Sequence, residues 1–198
     1  MLLEKGDVMK EQIRAIGIDD APFEFSDDDV LVIGTVIRAP NYLEGVLSTR
    51  IEIDGTDATE KLVEMVNGSK FKDQAKVIFI DGAAFGGFNL VDLEELNKKT
   101  GIPCISVSRK RPDFERIKKA MKKHFEKWEK KFKQIKKGKI YEIETLDKPI
   151  YIQKVGSDIR TVRRLLETFT LLGRIPEPIR LSHIIASGVV KGESRGKA

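Results

Sequence analysis

The sequence predicts an α/β fold, a mixed five-stranded sheet with helices on both faces. Three observations carry this. Two continuous apolar runs, VLVIGTVI at 30–37 and KVIFI at 76–80, have the length and β-branched content of strands buried on both sides. A third run, 46–53, alternates instead, with Leu47, Thr49, Ile51 and Ile53 on one side. Helical spacing appears between and after the later strands. Three strands, then βα, then β and helices is the order of a mixed sheet clad on both faces.

The elements follow in order. Residues 13–19 (IRAIGID) form a short apolar run that ends in acid, and with 30–37 and 46–53 they predict an antiparallel meander. A helix starts in GTDATE, where Thr56 or Asp57 can cap and Glu60 sits three residues after Asp57; Leu62, Val63 and Val66 are its apolar side. The run 76–80 also ends in acid, at Asp81. A glycine loop (Gly82, Gly86, Gly87) leads to a helix at 90–99, stopped by Thr100-Gly101, and 103–107 is the fifth strand. After Pro112, apolar residues from Phe114 through Phe125 and Trp128 to Ile135 recur at steps of three and four. They predict one long amphipathic helix over 112–137, closed by Gly138. A hairpin at 140–143 and 150–153 and helices at 158–172 and 178–190 complete the pattern. A single domain over 1–198 is expected, with flexible ends at 1–10 and 192–198.

Composition narrows the function. With one cysteine, Cys104, and two histidines among 198 residues, neither an internal disulfide nor a cysteine-based zinc site is expected. No apolar run approaches the length of a membrane span, and the first ten residues do not read as a signal peptide, so the expected location is cytoplasmic, away from membranes. Charge is unevenly spread. Residues 109–139 hold fifteen Lys/Arg and four Asp/Glu, a local net of +11 in a chain of net +5, which leaves −6 for the remainder. Such a run is either a solvated helix face or a contact for a polyanion, where clustered lysines gain by releasing condensed counterions.

Two strands that end in aspartate are the chemical signal. Sites in open α/β sheets gather at strand carboxyl ends. If the first and fourth strands are neighbours, Asp19 and Asp81 lie side by side; a bound Mg²⁺ or Mn²⁺ would remove their repulsion. Metals in such sites activate water for phosphodiester cleavage. The competing reading is that both aspartates only cap turns. In GIDD only one acid should face the site, so Asp20 is expected to face outward or cap a turn. DGAAFGG is not a phosphate loop, since it lacks the GxxxxGK[ST] lysine, and no GxSxG elbow is present. His183, among Ile179, Leu181, Ile184 and Ile185, reads from its neighbours as a packing residue.

The segments GIDD, GVLST, DGTDATE, DGxxFGGFN, TGIPxIxVxR and IPEPIR…H resemble, nearly end to end, the uncharacterised domain-of-unknown-function family ninety-nine. The chain is also distantly similar to endonuclease V, a metal-dependent nuclease of ribonuclease-H-like fold. Gly17-Ile18-Asp19 matches its Gly-x-Asp strand. Tyr42 to Arg50 (YLEGVLSTR) looks like its Tyr-Ile-Pro-Gly-Leu-Leu-Ser-Phe-Arg segment. Asp81-Gly82, Pro103 to Arg109, and Arg174 to Arg180 followed by His183 match three further motifs in the same order.

The resemblance implies a ribonuclease-H-like, endonuclease-V-like fold. It implies Asp19 and Asp81 as metal ligands and His183 as a ligand or acid/base group. Arg109, with Lys110 beside it, would meet substrate phosphate; Tyr42 and Gly45 would be substrate contacts. Two departures stand out. The family glutamate after Ser-Phe-Arg is replaced by Ile51, so Asp57, or less readily Glu60, is expected to supply the missing carboxylate. Glu44 replaces the proline of the family's base-inserting wedge and would repel phosphate, which argues against recognition of deaminated purines. The leading expectation is a Mg²⁺- or Mn²⁺-dependent nuclease that grips nucleic acid through 112–137. The alternatives are a non-catalytic nucleic-acid-binding protein of the same fold and a protein-interaction module.

Overall fold

The computed structural model describes residues 13–194. Of the expected flexible ends, 1–10 and 195–198 lie outside the described residues. β1 (Arg14–Asp20), β2 (Asp29–Arg38) and β3 (Tyr42–Glu52) form the expected antiparallel meander. α1 (Ala58–Asn67) then crosses over to β4 (Ala75–Asp81), which pairs parallel with β1. The glycine loop contains a small ribbon, β5 (Ala84–Phe85) and β6 (Asn89–Leu90). α2 (Leu93–Thr100) starts later than the sequence suggested, because Asp92 caps it by accepting from the Glu94 and Glu95 amides at 2.9 and 3.1 Å. β7 (Cys104–Ser108) adds in parallel to β4.

The sheet has seven strands, not five. After the basic segment, the expected hairpin β8 (Tyr141–Ile143) and β9 (Ile150–Val155) does not stand apart but pairs antiparallel onto β7, giving the order β3-β2-β1-β4-β7-β9-β8. Ile150 and Ile152 extend the apolar layer begun by Ile105 and Val107, and the pairing covers what would be an open edge of β7. α5 (Ile159–Phe169) and α6 (Glu177–Lys191) follow.

Strand alternation sorts the core into two layers. Ile16, Ile18, Ile78 and Ile80 pack with Leu62 and Val66 of α1 and Leu96 of α2. Ala15, Val77, Phe79, Ile105 and Val107 pack on the opposite face with Val162, Leu166 and Phe169 of α5 and Ile179 of α6. No helix among the described residues is long and apolar enough to cross a membrane.

The basic segment is two helices rather than one. α3 (Phe114–His124) and α4 (Trp128–Ile135) are separated by residues 125–127, the first of which, Phe125, has an extended backbone at φ −131, ψ 127. The cause is a tertiary contact: the Phe125 ring packs edge-on against Phe88 of the glycine loop, with centroids 5.7 Å apart. No residue of α4 is fully buried. A polar latch holds it instead, since Lys131 Nζ donates to the carbonyls of Asp54, Gly55 and Phe88 at 2.9, 2.7 and 2.7 Å and lies 4.7 Å from the Phe125 ring centroid. Lys131→Met is expected to leave those carbonyls without their cation. The cost is about 2 kcal/mol, read as a lower urea midpoint, with amide exchange rising first in α3 and α4. Exchange that rises uniformly over the whole chain would exclude the latch.

Candidate active site at the carboxyl edge of the sheet

The parallel register sets Ile18 against Ile80 on neighbouring strands, so Asp19 and Asp81 come side by side at the carboxyl edge, one strand spacing of about 4.8 Å apart. Each has the parity of its strand's α5/α6 layer: Ala15, Gly17, Asp19 on β1 and Val77, Phe79, Asp81 on β4. Arg109 follows Ile105 and Val107 on the same face. α6 closes this corner from above and can do so only because residue 17 is glycine. A Cβ there would overlap the Pro178 backbone and lie 2.5 Å from the Ile179 nitrogen. Ser182 Oγ, fully buried, donates to the Gly17 carbonyl at 2.7 Å. One residue on, His183 Nδ1 meets Asp19 Oδ2 at 2.8 Å. The salt-bridged pair Glu177 and Arg180, at 2.7 Å, stiffens the first turn of α6.

The resulting cavity, about 390 Å³, is lined by Asp19, Asp20, Asp81 and His183 together with Ala21, Pro22 and Phe23. Asp19 is only 4% exposed. Burial pushes its carboxyl up to about 7; the hydrogen bond with His183 pulls it back, and the charges of Asp81 and Asp20 push it further up. Burial likewise raises Asp81 and Asp20. The Arg109 guanidinium opposes the rise at Asp81, and the Gly86 amide opposes it at Asp20. His183 is raised above its ordinary value, first by its hydrogen bond to Asp19. Arg109 Nη1 reaches Asp81 Oδ2 at 3.3 Å, while its Nη2 is buried and has no hydrogen-bond partner among the described residues.

Of the residues expected at the site, Asp19, Asp81, His183 and Arg109 converge. Lys110 follows Arg109 and is exposed. Asp57 does not join them. It precedes α1 on the opposite face, and its carboxylate accepts from Asn89 Nδ2 at 2.6 Å and the Glu52 amide at 3.2 Å. Glu60 lines a separate groove beside α4. Ile51, where the family glutamate was expected, is 1% exposed in the α1/α2 core. Tyr42 stands at the other end of the sheet: it pairs with Arg38, which pairs with Arg14, five residues before Asp19 and so about 17 Å away along β1, while Gly45 pairs with Val36 and so is level with Ile16, about 10 Å short of Asp19 along the strand and two strands away.

Asp20 caps a turn, as one of its two expected roles had it, but does so while lining the cavity with Asp19 and Asp81. It ends β1, where the chain turns, and its Oδ2 accepts from the Gly86 amide at 2.8 Å. That bond holds the carboxylate at the sheet edge, in the same cavity as Asp19 and Asp81. The doubled acid of GIDD was the available signal.

Among the described residues no three carboxylate or imidazole groups form a ready-made cage for a metal ion. The donor chemistry nonetheless fits a hard divalent cation. Buried acids that repel one another gain from such an ion, and Mg²⁺ commonly uses one or two carboxylates and keeps its waters.

The chain is 49% identical over 192 residues to a UPF0215 protein of Methanothermobacter thermautotrophicus, covering 96% of this chain and 94% of the relative. A crystal structure of a protein of unknown function from Archaeoglobus fulgidus superposes with a TM-score of 0.81 at 40% identity, over 89% of this chain and 98% of that one. Endonuclease V of Ciona intestinalis, solved with an inosine-containing DNA, superposes with a TM-score of 0.60 at 13% identity, over 93% and 88% of the two chains. Human endonuclease V gives 0.59 at 16% identity, over 95% and 88%. The fold is therefore the endonuclease-V-like variant of the ribonuclease-H-like sheet. A family model matches residues 11–190, and the chain belongs to the Endonuclease dU family.

Proposed function

We propose that this protein is a divalent-metal-dependent nuclease that cleaves phosphodiester bonds in nucleic acid. The observation that carries the reading is the pair of buried carboxylates, Asp19 and Asp81, side by side at the carboxyl edge and flanked by His183 and Arg109. Asp19 and Asp81 would hold Mg²⁺ or Mn²⁺, with Asp20 nearby in place of the carboxylate absent at Ile51. A bound cation supplies charge neutralisation at the phosphate and a more acidic water. His183, hydrogen-bonded to Asp19, is placed to take or give a proton at its imidazole. Arg109 has a spare donor, Nη2, for a phosphate oxygen. The lysines of α3 and α4 grip the backbone, while Lys131 is spent on the latch.

The test is incubation of the full chain with end-labelled DNA and RNA, single-stranded and duplex, with Mg²⁺, Mn²⁺ or chelator. Cleavage is expected only with metal, and Asp81→Asn is expected to lower it by a factor of about 100 to 1000. Cleavage that survives chelator would overturn the reading.

A second reading is a non-catalytic nucleic-acid-binding protein, favoured by Ile51 and by the contacts that His183 and Arg109 already make to the two acids. It requires salt-sensitive binding without turnover. Under either reading, reversing the exposed Lys133 and Lys136 to glutamate is expected to weaken binding evenly across sequences. It should also flatten the salt dependence by about one power of salt concentration per lost phosphate contact. Sequence-selective weakening would show instead that these lysines read bases.

A further inference from the structure

A second cavity opens at the same edge and on the same face as the acidic site. Asp81 pairs with Val107, Val107 pairs with Ile152 on β9, and on the outermost strand Ile143 pairs with Ile150. Three strand spacings, about 14 Å, thus separate β4 from β8. Between β8, β9 and the last turn of α5 lies a space of about 220 Å³, floored by Ile143, Ile150 and Leu166, with Thr170 and Leu171 at its mouth and Arg163 on its rim. That is below the usual 300–1,000 Å³ of a drug-sized site and suits one flat heterocycle. Leu146 and Leu172 remain exposed around it, at 103% and 82%, a concentration of bare leucine beside a pocket that already has an apolar floor.

The two cavities have no lining residue in common but lie along one edge, joined by the chain. The loop from α5 to α6 leaves the pocket at Gly173, and the next residue, Arg174, donates to the Arg109 carbonyl at 3.3 Å. The basic helix α4 lies on the α1/α2 side, where Lys131 is anchored to the β3–α1 turn. A strand laid over the edge would meet lysines on one side, the acids and Arg109 at the crest, and an apolar pocket on the other. Of the residues expected to touch substrate, Tyr42 lies at the far end of the sheet, level with Arg14.

We propose that this pocket holds one unpaired nucleobase of the strand whose phosphate lies at Asp19 and Asp81, which makes the ligand single-stranded or locally opened nucleic acid. The inference rests on the nucleic-acid reading given above. A base has two flat apolar faces for Ile143, Ile150 and Leu166 and a polar edge for Thr170 and Arg163, and enzymes that handle single bases read them in this way. A base still paired in a duplex could not enter, so unpaired sites are selected.

The experiment uses the full-length protein with chelator present, so that catalysis plays no part. Isoleucine and leucine methyls are labelled for NMR, and two short single-stranded DNAs are titrated, one with its bases and one abasic throughout. The base-bearing strand is expected to shift the methyls of Ile143, Ile150 and Leu166, and the abasic strand to leave them still. Thr170→Trp, which fills the pocket, should weaken the base-bearing strand about tenfold, the scale of one stacked base, without altering the abasic one. Leu171→Ser, an uncharged change at a residue 41% exposed, gives the same test without touching the core. If both strands bind alike and the methyls stay silent, the pocket assignment is wrong and the nucleic-acid reading survives. If the abasic strand moves the methyls equally, the ligand is sugar-phosphate and the assignment also fails. If neither strand binds, with chelator or with Ca²⁺ in its place, both inferences fall.

Discussion

Gly17→Ala unseats α6 and costs about 3 kcal/mol or more, at the upper end of overpacking penalties. The reason is what the new methyl would meet. At most tight glycines a flexible side chain can swing aside, but here the obstacle is the backbone of Pro178 and Ile179, which moves only if the first turn of α6 lifts from β1. Lifting it stretches three bonds at once: Ser182 to the Gly17 carbonyl, Thr35 to the Pro178 carbonyl and His183 to Asp19, at 2.7, 2.7 and 2.8 Å. The variant should therefore show a lower urea midpoint together with loss of the His183–Asp19 contact, seen as a His183 imidazole that titrates nearer its ordinary value. A stability within about 0.5 kcal/mol of the parent would refute the packing argument.

How much of this was legible beforehand depends on the range of the forces involved. Asp19 and Asp81 stand out because a buried strand is an apolar run and its polar end is conspicuous. Their common face follows from counting by twos along β1 and β4, and Arg109 obeys the same parity on β7. His183 is different, since nothing in its helix marks it; only the likeness of IPEPIR…H to a known motif raised it. That Asp20 caps a turn was foreseen, but its place in the cavity was not, because alternation governs a strand's interior and the last residue answers to whatever a nearby loop offers, here the Gly86 amide. Asp57 failed for a topological reason. The turn after β3 leads to the helix layer opposite the acids, and no local pattern reports which layer a crossover takes. The break in the basic helix was invisible too, because its period runs on through Phe125 without glycine or proline. The contact that bends the chain comes from Phe88, 37 residues earlier.

Mn²⁺ or Mg²⁺ is expected to stabilise the protein far more at about pH 8 than at about pH 5, and the sign follows from the acids themselves. Burial raises the Asp19 carboxyl from 3.8 to about 7, and its hydrogen-bond partner His183 is raised as well. The folded state then binds more protons than the unfolded chain above about pH 4. Stability from Asp19 is fully present below the unfolded carboxyl value and is lost as pH climbs through about 7. At ~1.4 kcal/mol per pH unit, the displacement of Asp19 is worth on the order of 4 kcal/mol. Asp81 and Asp20, both raised, act in the same direction. A divalent cation takes the place of the lost protons, so its effect on Tm grows over the interval in which the metal-free protein weakens. Asp19→Asn carries no charge to lose, so it should flatten the pH slope of the metal-free protein and suppress most of the metal response together. Thermal melts across pH, with and without Mn²⁺, read both. If the metal response were equal at both pH values, or intact in Asp19→Asn, the ion would be binding elsewhere. The two carboxylates would then be no more than buried turn residues.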